Sequence, residues 1–298
     1  MGLPSVPHLR AVSFIVFLCI YLMTILGNLI ILSAIGSDSR LHKPMYFFLA
    51  NLSCLEMCYT SVTVPNILSN IIRKDNSISF GGCMCQVYLF TLCATSECIL
   101  LAVMAYDRYV AICIPLRYKA IMCHTLCYQL AVASWTAGLV NSTIHGLSMF
   151  FLPFCHYKID RLYCEVQPLL ELSCSDVYVN KILITMSALV FGVGFMTFIF
   201  ICYVFIVGAI IRIPSLAGRA KSFSTCGSHI TVVSLYYGAL VFMYCRPSSR
   251  DSNRIDSGIS SIYCMAIPVL NPVIYSLRNK EVKLSVRNLV RSRMQFST

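Results

Sequence analysis

Charge is what this sequence has least of. Only 12 % of its 298 residues are Asp, Glu, Lys or Arg, and 12 acids face 23 bases. A soluble domain carries about 25 % charged residues, so this chain lacks the polar surface to cover a water-soluble globule of its size. Disorder is excluded by the opposite quantity, a hydrophobic content of 58 %. Also missing is any Cys-x-x-Cys spacing among the 17 cysteines. That argues against a metal site at the Cys155-His156 stretch. His145 and His229 stand alone in the sequence, without the clustered His/Asp ligands or Ser–His pair that a membrane hydrolase needs.

What is present is apolar sequence in blocks. The first, Ala11 to Ile35, runs 25 residues without a charge. At about 1.5 Å per residue it reaches about 37 Å, enough to cross a hydrocarbon core of about 30 Å with tilt. It lacks a basic flank and is longer than a signal-peptide core, so the expectation is a retained helix. Further blocks lie near 45–72, 86–113, 126–152, 182–211, 223–245 and 257–277. Seven spans result, and each should be helical, because lipid offers backbone groups no water partner. Gly27-Asn28 in the first predicts tight helix packing with one polar contact.

Seven spans put the termini on opposite sides. The connections after spans 1, 3 and 5, together with the tail, hold 14 bases against Asp38, Asp107 and Glu281. The other side holds 9 bases against 7 acids, and Glu56 and Glu97 fall within spans. The formal net charge of +11 therefore resides on one face. The positive-inside rule makes that face cytosolic and the N-terminus extracellular. Such a surplus marks a membrane surface and not a nucleic-acid footprint. Residues 278–293 read as a short amphipathic helix, with Leu277, Val282, Val286, Leu289 and Val290 toward lipid and bases toward anionic headgroups. A solvated tail is the competing reading.

Most cysteines sit within spans as small buried hydrophobes. Cys83, Cys85, Cys155, Cys164, Cys174 and Cys245 fall on the outer, oxidising side. Spacing does not choose among their connectivities. A bridge from Cys83 to the long loop 154–181 would pin that loop over the bundle.

Two motifs then stand out. Span 3 ends in Met104-Ala105-Tyr106-Asp107-Arg108-Tyr109-Val110-Ala111-Ile112-Cys113, and span 7 holds Pro268-Val269-Leu270-Asn271-Pro272-Val273-Ile274-Tyr275. Alone, the first could be a snorkelling ion pair and the second a proline kink. With Leu41-His42-Lys43-Pro44-Met45-Tyr46-Phe47-Phe48-Leu49 and Lys221-Ser222-Phe223-Ser224-Thr225-Cys226-Gly227-Ser228-His229, they are specific. The chain resembles the rhodopsin-like G-protein-coupled receptors, and among them the olfactory (odorant) receptor family, from about residue 2 to 290.

The resemblance implies an all-α, seven-transmembrane bundle in the plasma membrane, with a small volatile odorant as ligand and a stimulatory, olfactory-type heterotrimeric G protein as partner, raising cyclic AMP. It implies disulfides Cys83–Cys164 and Cys155–Cys174. Arg108 would be the inner-face switch, held by Asp107 at rest and flanked by Tyr109. Tyr203 and Tyr275 would swing toward it, and His229, Asn271 and Pro272 belong to the same machinery.

Helix geometry gives its own view of the ligand site. Phe90, Thr91, Ala94, Thr95 and Cys98 follow a three/four spacing below Cys83 and share one face. Apolar surface with two hydroxyls suits a weakly polar ligand. Ordinary helix packing, with the threonines bonded to their own backbone, competes. The resemblance adds Ser187, Phe191, Tyr237, Leu240, Val241, Tyr244, Ser261 and Cys264. Tyr237 and Gly238-Ala239 replace the Trp and Pro of most rhodopsin-like receptors, as is normal for odorant receptors.

A carboxylate inside a membrane costs about 2.5–3.5 kcal/mol on insertion scales. Glu56 and Glu97 could therefore face each other and hold a proton or a sodium ion, the only cofactor the sequence suggests. The family usually has Asp where Glu56 stands, which changes the ion geometry. Ten residues precede the first span, and the Asn-x-Ser/Thr patterns, Asn51-Leu52-Ser53 and Asn141-Ser142-Thr143, fall inside spans. The family usually carries a longer outer segment with such a site, so the expectation is either an upstream start or poor trafficking. A non-odorant receptor of the same class is the nearest rival. A seven-span transporter would need a polar path or repeated broken helices, and neither is visible.

Overall fold

The computed structural model describes residues 7–73, 77–156, 159, 162–244, 267–275 and 280–295. Long helices dominate: α1 (Pro7–Ser37), α2 (Pro44–Arg73), α3 (Phe80–Cys113), α4 (His124–Phe150), α5 (Tyr178–Ile211), α6 (Leu216–Tyr244), α7 (267–275) and α8 (Lys280–Gln295). Local chemistry sets several ends. Pro44 opens α2 where an amide proton would be unpaired anyway. Ser79 caps α3 by accepting from the Gly82 amide at 3.2 Å. Ile114 ends α3 before Pro115, which disfavours helical backbone at its predecessor. Within α5, Ala188–Gly194 adopts π-helical geometry directly after Ser187.

Among the described residues, four helices are long and apolar enough to cross a membrane by length and composition: His8–Ser37, Pro44–Arg73, Phe80–Cys113 and Tyr178–Ile211. Helices α4 and α6 have the length, at 27 and 29 residues, but carry more polar side chains. In α4 these turn inward, with Ser134, Asn141, Ser142 and His145 all buried.

The burial pattern is the reverse of a soluble protein's. Leu22, Leu26, Phe200 and Phe205 are exposed, whereas Asn28, Glu56, Glu97 and Asn271 are buried. Lipid is as apolar as leucine, so only the polar residues gain by facing inward. Helix α3 is the axis, packed on α2, α4 and α5, with Leu100, Leu101, Met104 and Ala105 fully enclosed. Gly27 lets α1 approach α7 closely; a Cβ there would lie 2.9 Å from Pro272 Cβ.

The connection between α4 and α5 is pinned from two points. Disulfides join Cys83 to Cys164 and Cys155 to Cys174, with Cα separations of 5.5 and 5.6 Å. Gln86 donates to the Val62 carbonyl at 3.0 Å and accepts from the Cys164 amide at 2.8 Å. Leu162 and Tyr163 thereby pack against Phe17, Val64 and Ile67 of α1 and α2.

At the Arg108 end of the bundle, α8 folds back on α1. Lys43 Nζ donates to both Glu281 oxygens at 2.8 Å, and Tyr46 donates to Oε2 at 2.8 Å. Val282 is fully buried in the central cluster, with Val286 packed against it. The expectation that Val282 and Val286 face lipid is therefore corrected, because the Glu281 clamp turns that side of α8 onto the bundle. Leu277 and the side chains of Leu289 and Val290 lie outside the described residues.

Candidate functional site

In the half of the bundle nearer the Cys83 end of α3, polar side chains from three helices meet. Asn141 Nδ2 donates to Thr95 Oγ1 at 2.9 Å. Ser187 Oγ donates to Asn141 Oδ1 at 2.9 Å. His145 Nε2 lies 2.9 Å from Ser187 Oγ. Thr95 and Ser187, both sequence candidates, are thus joined through α4. His145, isolated in the sequence, is tied into this group instead of standing alone. Asn141 and His145 escaped the sequence reading, although an Asn and a His four apart share one helix face and were the available signal.

Below Thr95, Cys98 Sγ sits 3.2 Å from the Tyr236 hydroxyl, which donates to the Ala94 carbonyl at 2.9 Å. Tyr237 meets Tyr236 edge-on at 5.4 Å. Cys98, Tyr237, Leu240 and Phe191 belong to one apolar cluster. Phe90 does not join it. Its ring packs between Tyr59 at 4.9 Å and Tyr163 at 5.4 Å, in the cluster that α1, α2 and the outer loop share. Thr91 is half-buried, and Val241 is half-exposed on α6. Ser261, Cys264 and the Tyr244 side chain lie outside the described residues.

At the C-terminal end of α3, Arg108 donates to Asp107 Oδ2 from Nη2 at 2.7 Å and from Nε at 3.2 Å. Tyr118, in a short helical turn (Tyr118–Ile121), donates to Asp107 Oδ1 at 2.7 Å. Asp107 thus spends both oxygens, and no sequence signal singled Tyr118 out. His229 Nε2 lies 3.1 Å from the Leu101 carbonyl, which can only accept, so Nε2 carries the proton. Nδ1 is then bare and accepts from the Tyr203 hydroxyl at 2.5 Å. This one imidazole ties α3, α5 and α6 together. Tyr109 packs edge-on to Phe205 at 6.0 Å.

Between the two ends lies a buried polar group. Asn271 Nδ2 donates to Glu56 Oε1 at 2.5 Å. Glu56 and Glu97 are both buried within the bundle. Among the described residues, Asn28 Oδ1, Glu97 Oε1, Asn271 Oδ1 and the Tyr275 hydroxyl are enclosed without a hydrogen-bond partner. Outside the membrane, Arg40 holds the Asp38 carboxyl well below its ordinary range by hydrogen bonding. Burial works against ionising Glu281, but Lys43 and Tyr46 outweigh it and lower its pKa.

The chain matches the family described as olfactory receptor over residues 17–293. Olfactory receptor 8U9 of Mus musculus is 46 % identical over 297 residues, covering 99 % of this chain and 95 % of that protein. Olfactory receptor 11L1 of Homo sapiens is 46 % identical over 294 residues, covering 98 % and 91 %. Olfactory receptor 5G25 of Mus musculus is 48 % identical over 283 residues, covering 95 % and 89 %. These relatives are receptors and not enzymes. A match of this length carries the seven-helix membrane bundle with it, and the chain belongs to the olfactory receptor family.

Proposed function

We propose that the chain binds small volatile odorants in the outer half of its bundle and couples to a stimulatory, olfactory-type G protein, raising cyclic AMP. The observation that supports this most is the closed Asp107–Arg108–Tyr118 group at the inner end of α3. It keeps the cation that would meet a G protein bound to its own helix. Activation would free Arg108 and let Tyr203 exchange His229 for it, with Tyr275 following. The N-terminus lies outside and the basic face inside, where α8 meets lipid headgroups. An apolar pocket separates ligands differing by one methylene by only about 1–3 kcal/mol, so tuning is broad unless a hydroxyl engages the ligand.

The test is expression with an olfactory G protein and a cyclic AMP readout against an odorant panel. Arg108→Ala is expected to abolish the response while surface labelling is retained. Ligand-gated current without a G protein would overturn the reading.

The enclosed oxygens between the two ends support a second element, a sodium ion bound at rest. Glu56 and Glu97, with Asn28 and Asn271, supply hard oxygen donors suited to such a cation. Its charge would relieve the repulsion of the two carboxylates. Glu56→Gln is expected to raise ligand-free signalling and to remove its dependence on sodium; if both stay unchanged, no such ion is held.

A further inference from the structure

Helix α5 is bound to its neighbours at two places, and the backbone between them is irregular. Its N-terminal part is tied to α4. Ser187 Oγ donates to Asn141 Oδ1 at 2.9 Å, and Asn180 Nδ2 donates to the Ser148 carbonyl at 3.2 Å. Its C-terminal part is seated on α3 and α6, with Ile199, Cys202, Ile206 and Ile210 buried. There the Tyr203 hydroxyl donates to His229 Nδ1 at 2.5 Å. Between the two ties, Ala188–Gly194 is π-helical.

Nothing local demands that geometry. Residues 178–211 contain no proline, and residues 188–194 have only apolar side chains and two glycines. The common causes of a break in a helix, a proline or an inserted polar side chain, are therefore missing from the stretch itself. Leu189, Val190 and Val193 are exposed, so lipid and no packed neighbour borders that side. A Cβ at Gly192 would meet nothing within 4 Å. Phe191 packs on the central cluster, and its ring stacks on that of Phe195 at 6.2 Å.

The two ties do demand it. A π turn places one residue more between a donor and its acceptor than an α turn does. Each residue of an α-helix advances by about 100°. With Ser187 and Asn180 held on α4, regular α bonding through 188–194 would turn everything beyond by about that angle, and Tyr203 would leave His229. Both ties are closed at once because the stretch is π-helical. Its side chains carry no hydrogen bonds of their own to lose, so only backbone bonds change when the register changes.

We infer that Ala188–Gly194 is a register joint: its conversion from π to α turns the C-terminal part of α5 and releases Tyr203 from His229, while the Ser187 tie stays closed. This rests on the receptor reading above, in which Tyr203 exchanges His229 for Arg108, and it gives that exchange a cause within α5. Ser187 and Asn180 are positioning residues, which fix the part of the helix against which the rest turns.

The experiment uses the full chain. Deleting Val190, an exposed residue, leaves an α5 that is α-helical throughout, with both ties in their present registers and no joint to convert. The deletion should reach the surface normally and lose the cyclic AMP response to the odorant panel. Val190→Ala keeps the residue count and should respond as the wild type does. A normal response of the deletion would overturn the inference. So would its loss from the surface, because a regular helix would then fail to keep both ties. Hydrogen exchange of the chain in phosphatidylcholine nanodiscs reads the joint without an odorant. In the wild type, amides of residues 188–194 should exchange about tenfold faster than those of the flanking α-helical segments. In Asp107→Asn, which frees Arg108 for Tyr203, they should slow about tenfold. Equal exchange in the two proteins would overturn the inference. Silence of the wild type at the surface toward every odorant, with the change in exchange present, would overturn the receptor reading and leave the joint.

Discussion

Leucine at Gly138 should remove the protein from the cell surface. A Cβ at that position would lie 2.1 Å from Ser96 Oγ and 2.7 Å from the Leu92 carbonyl oxygen. The serine can rotate away. The carbonyl is part of the α3 backbone and can yield only if α3 moves, and α3 is the axis on which α2, α4 and α5 pack. Helices in lipid gain little from hiding apolar surface from each other, so close approach at small residues is what joins them. Overpacking a soluble core costs about 1–3 kcal/mol, and occasionally more. Here the strain also separates Asn141 from Thr95, one turn further along the same interface. Surface labelling of Gly138→Leu should fall to background while total protein remains detectable inside the cell. Gly208→Ala and Gly238→Ala are the controls, since a Cβ at either meets nothing within 4 Å. Normal delivery of Gly138→Leu would mean that α3 and α4 do not pack as described.

That contact also shows where sequence reasoning reaches and where it stops. The membrane class was legible because lipid inverts burial, leaving long uncharged runs such as 182–211 that no soluble fold needs. Asp107-Arg108-Tyr109 and Asn271-Pro272 were legible as motifs because they are short and contiguous. Their partners were not. Tyr118 lies 11 residues from Asp107, Asn141 46 from Thr95, and Glu281 238 from Lys43. Helical periodicity says which residues share a face, but not how that face is rotated against its neighbours. Phe90 shows the consequence. It follows the same spacing as Thr95 and Cys98, yet its ring packs with Tyr59 and Tyr163, away from Tyr237. The π-helical stretch after Ser187 had no signature in the sequence.

Asp107→Asn should signal without ligand, and more strongly than any neighbouring change. The Asp107 side chain is fully enclosed and Arg108 nearly so, and their closest contact is 2.7 Å. Asparagine is nearly isosteric but uncharged, so it removes the ion pair and leaves the Arg108 cation without a counter-charge. Breaking a buried pair from one side costs about 3–5 kcal/mol. That penalty falls on the resting state alone if Arg108 finds a different partner in the active one. Each 1.4 kcal/mol of difference shifts a two-state population about tenfold, so even a third of the penalty should raise basal cyclic AMP by about tenfold. Tyr118→Phe removes only the second hydrogen bond on Asp107. A neutral donor to a charged acceptor is worth about 1.5–3 kcal/mol at most, and the Arg108 pair survives, so its basal signal should fall between wild type and Asp107→Asn. Combining Asp107→Asn with Arg108→Ala should return the signal to zero, because the liberated cation is the acting group. A silent Asp107→Asn at normal surface level would show that the pair does not hold the receptor at rest.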